Sequence, residues 1–471
     1  MVASTERTPS FIATIRLRTN AQEEKVILML SDCGRQLYNA CLGEGLKRIK
    51  AIQNTKLYKE TVRLSKTSEI DIEKRRANFK HLNATFSFTD YSIQSFGTKT
   101  KNSSKFIAEH LGTHVCQKLS TRAFKAVQKF AFKKAKKVRF KRKGEFVSLE
   151  GKNNKTFLTY SNGYVFIGKT LSLKCLIDPN DQWMQHALNH RIKYCRLIKK
   201  EVKGKNRFYV QLILEGSPHR KYELGKEEVG LDIGPSTIAI VGESKAELKE
   251  FCEEVVVIDK ENKRINRKMD RQRRANNPNH YQSNGVMKKG KKKWTTSKRY
   301  IKTRAEHREL ERKIKEVRKQ LHGRDTNQIL QLASSIQTEK LSYKAFQKMF
   351  GKSIGRKAPS MFLKMLKRKV EAQGGSFREF PTYSTRLSQT CHCGAIKKKR
   401  LKERWHICEC GVVAQRDLYS AFLARYVTKS NQVVLQQAEK EWFQLSNVLN
   451  DCISNLKNMK VERKLISTFG V

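Results

Sequence analysis

Three carboxylates and four thiols, all beyond residue 230, have the types and spacing to do chemistry. Asp232 ends the short apolar run Val229-Gly-Leu-Asp-Ile-Gly, Glu339 follows the strand-like Ser335-Ile-Gln-Thr, and Asp417 lies in Gln415-Arg-Asp-Leu-Tyr-Ser-Ala at the start of an expected helix. Acids at strand ends and a helix start, far apart in sequence, can converge at one edge of a mixed sheet. Oxygen ligands of that kind hold Mg²⁺ (or Mn²⁺), and two such ions about 4 Å apart stabilise the attacking and leaving oxygens of phosphodiester hydrolysis. Taken singly, each acid reads equally well as a cap or a surface residue; their order and surroundings set them apart.

The thiols form a second constellation. Cys391-His392-Cys393-Gly and Cys408-Glu-Cys410-Gly enclose fourteen residues between Cys393 and Cys408. Two knuckles of two thiolates, each followed by Gly for the tight turn, match a structural tetrahedral Zn²⁺ site. Each pair is Cys-x-Cys where zinc ribbons usually have Cys-x-x-Cys, which leaves His392 and His406 as substitute ligands. The other seven of the eleven cysteines (Cys33, Cys41, Cys116, Cys175, Cys195, Cys252 and Cys452) are scattered through apolar patterns and read as buried thiols in a reducing compartment.

The elements that must carry these groups are set by periodicity and breakers. Residues 11 to 18 alternate as a strand, and Asn20 with Glu23 forms a capping-box pair before the helical spacing of Val26, Leu30, Cys33, Leu37 and Cys41. Residues 105 to 135 again read as helix. From Lys143 to Leu214 short β runs broken by Gly, Asn and Pro read as a small barrel. Because one strand precedes the helices and the rest come after them, the helical block is expected to be an insertion into that barrel. Ser217 to Lys226 reads as a linker, with strands after Asp232 at Thr237 to Gly242 and Glu254 to Ile258. Leu310, Ile314, Val317 and Leu321 give a long helix, residues 357 to 372 a basic helix, and residues 432 to 467 a helical tail. No repeat at a fixed period is visible.

Composition names the kind of partner. With 98 Lys and Arg against 44 Asp and Glu in 471 residues, the formal charge is +54, a self-repulsion that a polyanion relieves through counterion release. The basic residues are also blocked. Arg122 to Lys143 holds eleven Lys or Arg and no acid, with Phe124, Phe130, Phe132 and Phe140 interleaved, which suits backbone tracking and base stacking as well as a solvated face. Residues 263 to 304 hold sixteen Lys or Arg and one acid, Asp270. No segment approaches the ~20 apolar residues of a membrane span and the N-terminus lacks a signal-peptide core, so no membrane partner and a cytoplasmic location are expected.

The order of these motifs, from Gly230-Leu-Asp-Ile-Gly through a basic helical stretch, Thr338-Glu-Lys-Leu, Ser384-Thr-Arg-Leu-Ser-Gln-Thr-Cys-His-Cys-Gly, a second Cys-Gly knuckle and Arg416-Asp, resembles the TnpB family. These are transposon-encoded RNA-guided nucleases from which the compact type V CRISPR effectors descend. The resemblance runs from the first strand to about residue 425 and is strongest from 228 onward. It implies a multidomain α+β fold: a wedge-like β-barrel (1–19 and 136–220) with a helical recognition insertion (20–135), a RuvC-like, RNase H-type nuclease domain (221–385 and 412–430), an inserted zinc ribbon (386–411) and a helical C-terminal tail (431–471). It carries the catalytic, magnesium-holding roles to Asp232, Glu339 and Asp417, and the zinc ligands to Cys391, Cys393, Cys408 and Cys410. Guide RNA and target double-stranded DNA are the implied partners, with a monomer expected.

This chain departs from the family's usual Asp-Arg-Asp-x-Asn-Ala-Ala around the last acid: Gln415 and Tyr419 stand where the first Asp and the Asn would be. The triad itself is intact, so an active nuclease is expected. A CRISPR effector of the same architecture is the near alternative. A guided repressor without cleavage would tend to lose the triad, and a DDE-type transposase is disfavoured by the cysteine ribbon before the last acid.

Overall fold

The computed structural model describes residues 8–220, 222–400, 402–462 and 466–470, and the chain divides into two compact units, one up to His219 and one from Arg220. Most of the N-terminal stretch on which the signal-peptide expectation rests lies outside the described residues.

The first unit opens with β1 (Ser10–Leu17), whose alternation buries Phe11, Ala13, Ile15 and Leu17 and leaves the residues between them exposed. Asn20 caps the first helix: its side chain accepts from the Glu23 amide at 2.9 Å while Glu23 accepts from the Asn20 amide at 2.8 Å. Six helices come next, α1 (Ala21–Asn54), α2 (Lys56–Arg63), α3 (Glu69–Thr85), α4 (Asp90–Asn102), α5 (Lys105–His110) and α6 (Thr113–Ala131). Then come β2 (Ser148–Glu150), β3 (Leu158–Ser161), β4 (Tyr164–Ile167), β5 (Leu171–Leu176), α7 (Gln182–Leu188), β6 (Ile192–Val202) and β7 (Lys205–Glu215). The strands form one antiparallel sheet in the order β2-β6-β7-β1-β5-β4-β3. β1 therefore lies inside the sheet, with Ser10 opposite Glu215 and Arg16 opposite Leu176. The helices leave and re-enter between strands of that sheet. Its inner face shares a core with the apolar stripes of α1 (Ile27, Leu30, Leu37, Leu42) and α6 (Val115, Leu119, Val127), where each fully buried aliphatic side chain contributes about 1.5–3 kcal/mol.

The second unit holds β8 (Glu227–Ile233), β9 (Thr237–Val241), β10 (Ala246–Glu250), α8 (Glu253–Ala275), α9 (Lys298–Leu332), β11 (Ala333–Lys340), α10 (Tyr343–Lys357), α11 (Pro359–Glu371), β12 (Ser376–Pro381), α12 (Thr382–Thr385), β13 (Trp405–Ile407), β14 (Val413–Gln415), α13 (Arg416–Ala424) and α14 (Leu435–Glu462). Its sheet runs β10-β9-β8-β11-β12, with the β10, β9 and β8 neighbours antiparallel and β8, β11 and β12 parallel. β13 and β14 make a separate two-stranded ribbon. Val229, Leu231, Ile238, Ile240 and Ile336 pack one side of the sheet against α9 and α11, while Ala239 and Val241 pack with α13 and α14. Among the described residues no helix is long and apolar enough to cross a membrane.

Two expected elements are corrected. Glu254 to Ile258 is the start of α8, and the third strand is β10, a few residues earlier. The β-branched run Val255-Val-Val-Ile favours a strand locally, but Val255, Asp259, Asn262 and Ile265 are buried at helical spacing while Val257 stays 62 % exposed. The expected helix from 105 to 135 breaks at Leu111–Gly112, where Gly112 lies against the Phe157 ring with no room for a Cβ, and ends at Ala131, ahead of Lys133 at φ +54°. The basic run Arg122 to Lys143 therefore straddles a helix end and an irregular segment.

Candidate active site and metal centre

β8 and β11 bring two of the three acids together. Thr338 pairs with Leu231 in parallel register, so Glu339 falls one step on, alongside Asp232. The buried Thr338 hydroxyl locks that register by donating to the Leu231 carbonyl at 3.0 Å. Asp417 arrives from another layer, on α13, which packs across β8 and β9. Gly230 permits this approach: any Cβ there would collide with the Ala421 carbonyl. Asp417 is 8 % exposed, and its Oδ2 accepts from the Thr237 hydroxyl at the start of β9, 3.4 Å away.

Electrostatics ties the three into one site. Burial holds the Asp232 carboxyl well above its ordinary range, and the charges of Asp417 and Glu339 push it further, against an opposing pull from Arg416. Burial also raises Glu339 to about 7, although its carboxylate accepts from the Leu387 amide. Asp417 is the compensated member. Arg416 Nε and Nη2 donate to its Oδ1 at 3.3 and 3.2 Å, and Arg404 Nη1 lies 4.0 Å from Oδ2. Two carboxylates whose charges oppose the ionisation of a buried third form a donor set that a divalent cation would relieve. Their oxygens do not draw onto one point, since among the described residues only the four cysteines bring their ligand atoms within 4.8 Å of one another.

That second group could hold a metal ion. Cys391 Sγ lies 3.5 Å from Cys410 Sγ, and Cys393 Sγ lies 3.6 Å from Cys408 Sγ. Tetrahedral sulfurs at Zn–S of about 2.3 Å sit roughly 3.8 Å apart, so the thiols already have nearly that spacing. Both knuckles have the same construction. The Cys391 and Cys408 amides donate to the Ala395 and Val412 carbonyls at 2.8 and 3.0 Å, and Gly394 and Gly411 turn the chain at φ +91° and +94°. The Cys-x-Cys spacing therefore still closes the cage. His392 and His406 do not join it: His392 Nδ1 bonds the Tyr419 hydroxyl at 3.0 Å, and His406 Nδ1 bonds Lys399 at 2.6 Å while its ring stacks on Tyr419 at 4.3 Å. The Cys408 thiol is lowered to about 7, chiefly by the Cys410 amide, whereas burial pushes Cys391 up to about 12.

The basic surfaces are partly pre-formed. Asn39 on α1 pins the irregular segment after α6, donating to the Lys141 carbonyl at 2.8 Å and accepting from its amide at 2.9 Å. Phe132 and Phe140 are exposed along it. Between α8 and α9 the chain folds into a small knob closed by the Tyr281–Met287 bridge. His280 packs on Trp294 at 4.8 Å, Arg273 lies 5.5 Å over the same ring, and Lys288, Lys289, Lys291 and Lys293 are exposed.

Several residues around Glu339 and Asp417 carry no signal of their own in the sequence. Arg404, Thr237, the Leu387 amide and the Gln415 side chain, which accepts from the Leu418 amide at 2.8 Å to cap α13, all act from a distance in the chain or through an unusual capping residue. Gln415 and Tyr419 do stand out in the sequence as the two departures from the resembled motif, but their partners do not.

Residues 360–423, spanning nearly all of α11, β12, the ribbon and most of α13, match the family model described as Cas12f1-like, TNB domain. No curated protein matches the chain. Two similar solved structures are a Cas12f1–sgRNA–target DNA complex (13 % identity, 88 % of this chain and 98 % of that one covered, TM-score 0.44) and a CRISPR–Cas12f ternary complex (12 % identity, 88 % and 83 % covered, TM-score 0.29).

Proposed function

We propose that this chain is an RNA-guided DNA endonuclease that hydrolyses phosphodiesters at Asp232, Glu339 and Asp417. The observation that carries the reading is the convergence of three acids from β8, β11 and α13 on one sheet edge, with a four-cysteine ribbon feeding directly into the helix of the third. A sheet with a three-strand antiparallel part and a parallel extension supports the RNase H-type arrangement that the resemblance implies. The matched domain carries the name of a CRISPR effector, which favours the CRISPR-associated reading over the transposon-encoded one within the same architecture.

Asp232, Glu339 and Asp417 would hold Mg²⁺ or Mn²⁺, which supplies charge for the attacking and leaving oxygens of the phosphodiester. The protein's part is to hold three carboxylates at one end of the sheet in spite of the charge that two of them set against Asp232. The Thr338–Leu231 tie holds the first two and the Thr237–Asp417 contact the third. Arg416 and Arg404 balance Asp417. Cys391, Cys393, Cys408 and Cys410 would hold Zn²⁺ as a closed structural site. The +54 charge and the two basic blocks suit a bound guide RNA, with pairing to it, rather than side chains, reading the target.

The test is Asp232→Ala in a guided cleavage assay with Mg²⁺. Cleavage should fall at least ~10²-fold while RNA and target binding are kept, because phosphate contacts elsewhere supply affinity. Undiminished cutting would refute the assignment.

A further inference from the structure

We propose that Tyr419 is a positioning residue through which the cysteine ribbon fixes Asp417. The proposal rests on the reading of Asp417 as an ion ligand and adds the route by which ribbon occupancy reaches that acid.

Tyr419 is 1 % exposed and lies two residues after Asp417 on α13. At 100° per residue the two side chains leave the helix about 200° apart, so one face of α13 serves the acids and the other the ribbon. The Tyr419 hydroxyl accepts from the His392 amide at 3.0 Å and lies 3.5 Å from Cys391 Sγ, to which it donates. A phenolic hydroxyl has one proton and two lone pairs. The His392 amide uses one lone pair and Cys391 takes the proton, while His392 Nδ1 stands as a third polar neighbour, also 3.0 Å away. The ring is clamped as well, stacked on His406 at 4.3 Å and 27° and edge-on to Trp442 at 5.3 Å and 83°.

Arg416 supplies a second tie on the other side of Asp417. Its Nη1 donates to the Glu403 carbonyl at 2.8 Å and its amide to the Arg404 carbonyl at 2.8 Å, both just ahead of β13, while Nε and Nη2 hold Asp417 Oδ1. With Tyr419 on one thiol-bearing knuckle and Arg416 on the other arm of the ribbon, α13 cannot shift without the ribbon. A tyrosine kept only for packing would need its ring; the hydroxyl, spent wholly on the Cys391–His392 knuckle, is what couples the two sites.

The full chain is compared as wild type, as zinc-stripped wild type and as Tyr419→Phe, which keeps the ring. Zinc affinity is read by competition with a chromophoric chelator, hydrogen exchange by mass spectrometry over residues 413–424 and, as control, 192–215, and Mn²⁺ binding by EPR. Removing an outer partner of a metal ligand typically weakens metal binding 10- to 100-fold. Tyr419→Phe should therefore lower zinc affinity by ~10-fold or more. Exchange over 413–424 should rise about tenfold in both the variant and the zinc-stripped wild type with 192–215 unchanged, and Mn²⁺ affinity should fall about fivefold. Unchanged zinc affinity in the variant, or exchange over 413–424 indifferent to zinc, overturns the proposal, and the zinc-stripped wild type decides it even if the variant does not fold. A wild type that binds no Mn²⁺ and cuts nothing, yet shows the zinc-dependent exchange, removes the nuclease reading and leaves the coupling standing.

Discussion

Glu339 stands alongside Asp232 on the neighbouring parallel strand, one register step past the Thr338–Leu231 pair, and burial raises the pKa of both. Two acids buried side by side, with the Glu339 charge also opposing the ionisation of Asp232, cost the metal-free protein stability. The same cost makes the site receptive to cations.

This arrangement fixes the sign of the pH dependence. Glu339 binds its proton more tightly folded, at about 7, than at its ordinary 4.5, so metal-free stability falls as pH rises through that window and the penalty is fully present above 7. Glu339→Gln removes it. In thermal melts without divalent ions the variant should exceed wild type at pH 8, by ~2–4 °C for each kcal/mol relieved, and match it near pH 4. Mg²⁺ should raise the wild type's melting temperature and not the variant's. A variant less stable than wild type at pH 8 would count against the carboxylate cluster.

Gly230→Ala tests how α13 is seated. A methyl group there meets the Ala421 backbone, which has no rotamer to yield, so overpacking should cost about 1–3 kcal/mol in urea denaturation. Because the displaced helix carries Asp417, cleavage should fall more steeply than stability. A wild-type midpoint together with wild-type cutting would show that the helix does not rest where Gly230 places it.

For the ribbon, metal analysis of the purified chain should find about one zinc per molecule, and Cys408→Ser or Cys410→Ser should abolish it. Four thiols titrating freely in the native wild-type protein would rule out a metal in the ribbon.

Lys133, Lys134, Lys136 and Lys137 are exposed on the segment after α6. Changing all four to Gln should weaken binding to every guide alike and flatten the salt dependence by roughly 0.7 to 0.9 log units for each phosphate no longer neutralised. The readout is a salt titration beside a depletion assay for the target-adjacent motif. An unchanged slope with an altered motif would make this block a base reader instead.

The sequence made part of the fold and site legible and hid the rest for identifiable reasons. Strand alternation, the Asn20–Glu23 cap and the paired Cys-Gly knuckles are local signals, each complete within a few residues, and the structure contains all three. Asp232, Glu339 and Asp417 could be singled out by context, but their convergence depends on the β8–β11 register and on Gly230, facts about pairing that no local window contains. Val255 to Ile258 misled because intrinsic β-propensity was outvoted by a buried helical stripe visible only once its partners are placed. The Tyr419–Cys391 contact spans 28 positions in the chain and joins a polar tip to a thiol, a pairing that hydrophobic periodicity does not encode.

β1 imposes an order of events on synthesis. Ser10 leaves the ribosome long before its partner Glu215, and at about 5–20 residues per second roughly 200 intervening residues take some 10–40 s to appear. Until β5 (Leu171–Leu176) emerges to meet its C-terminal end, that alternating apolar strand has no ladder to join, while the helices after it can already form from local contacts. The nascent first unit therefore spends its early life as a helical assembly with one unpaired strand, open to pairing with another chain until β5 and then β7 arrive to cover its two edges.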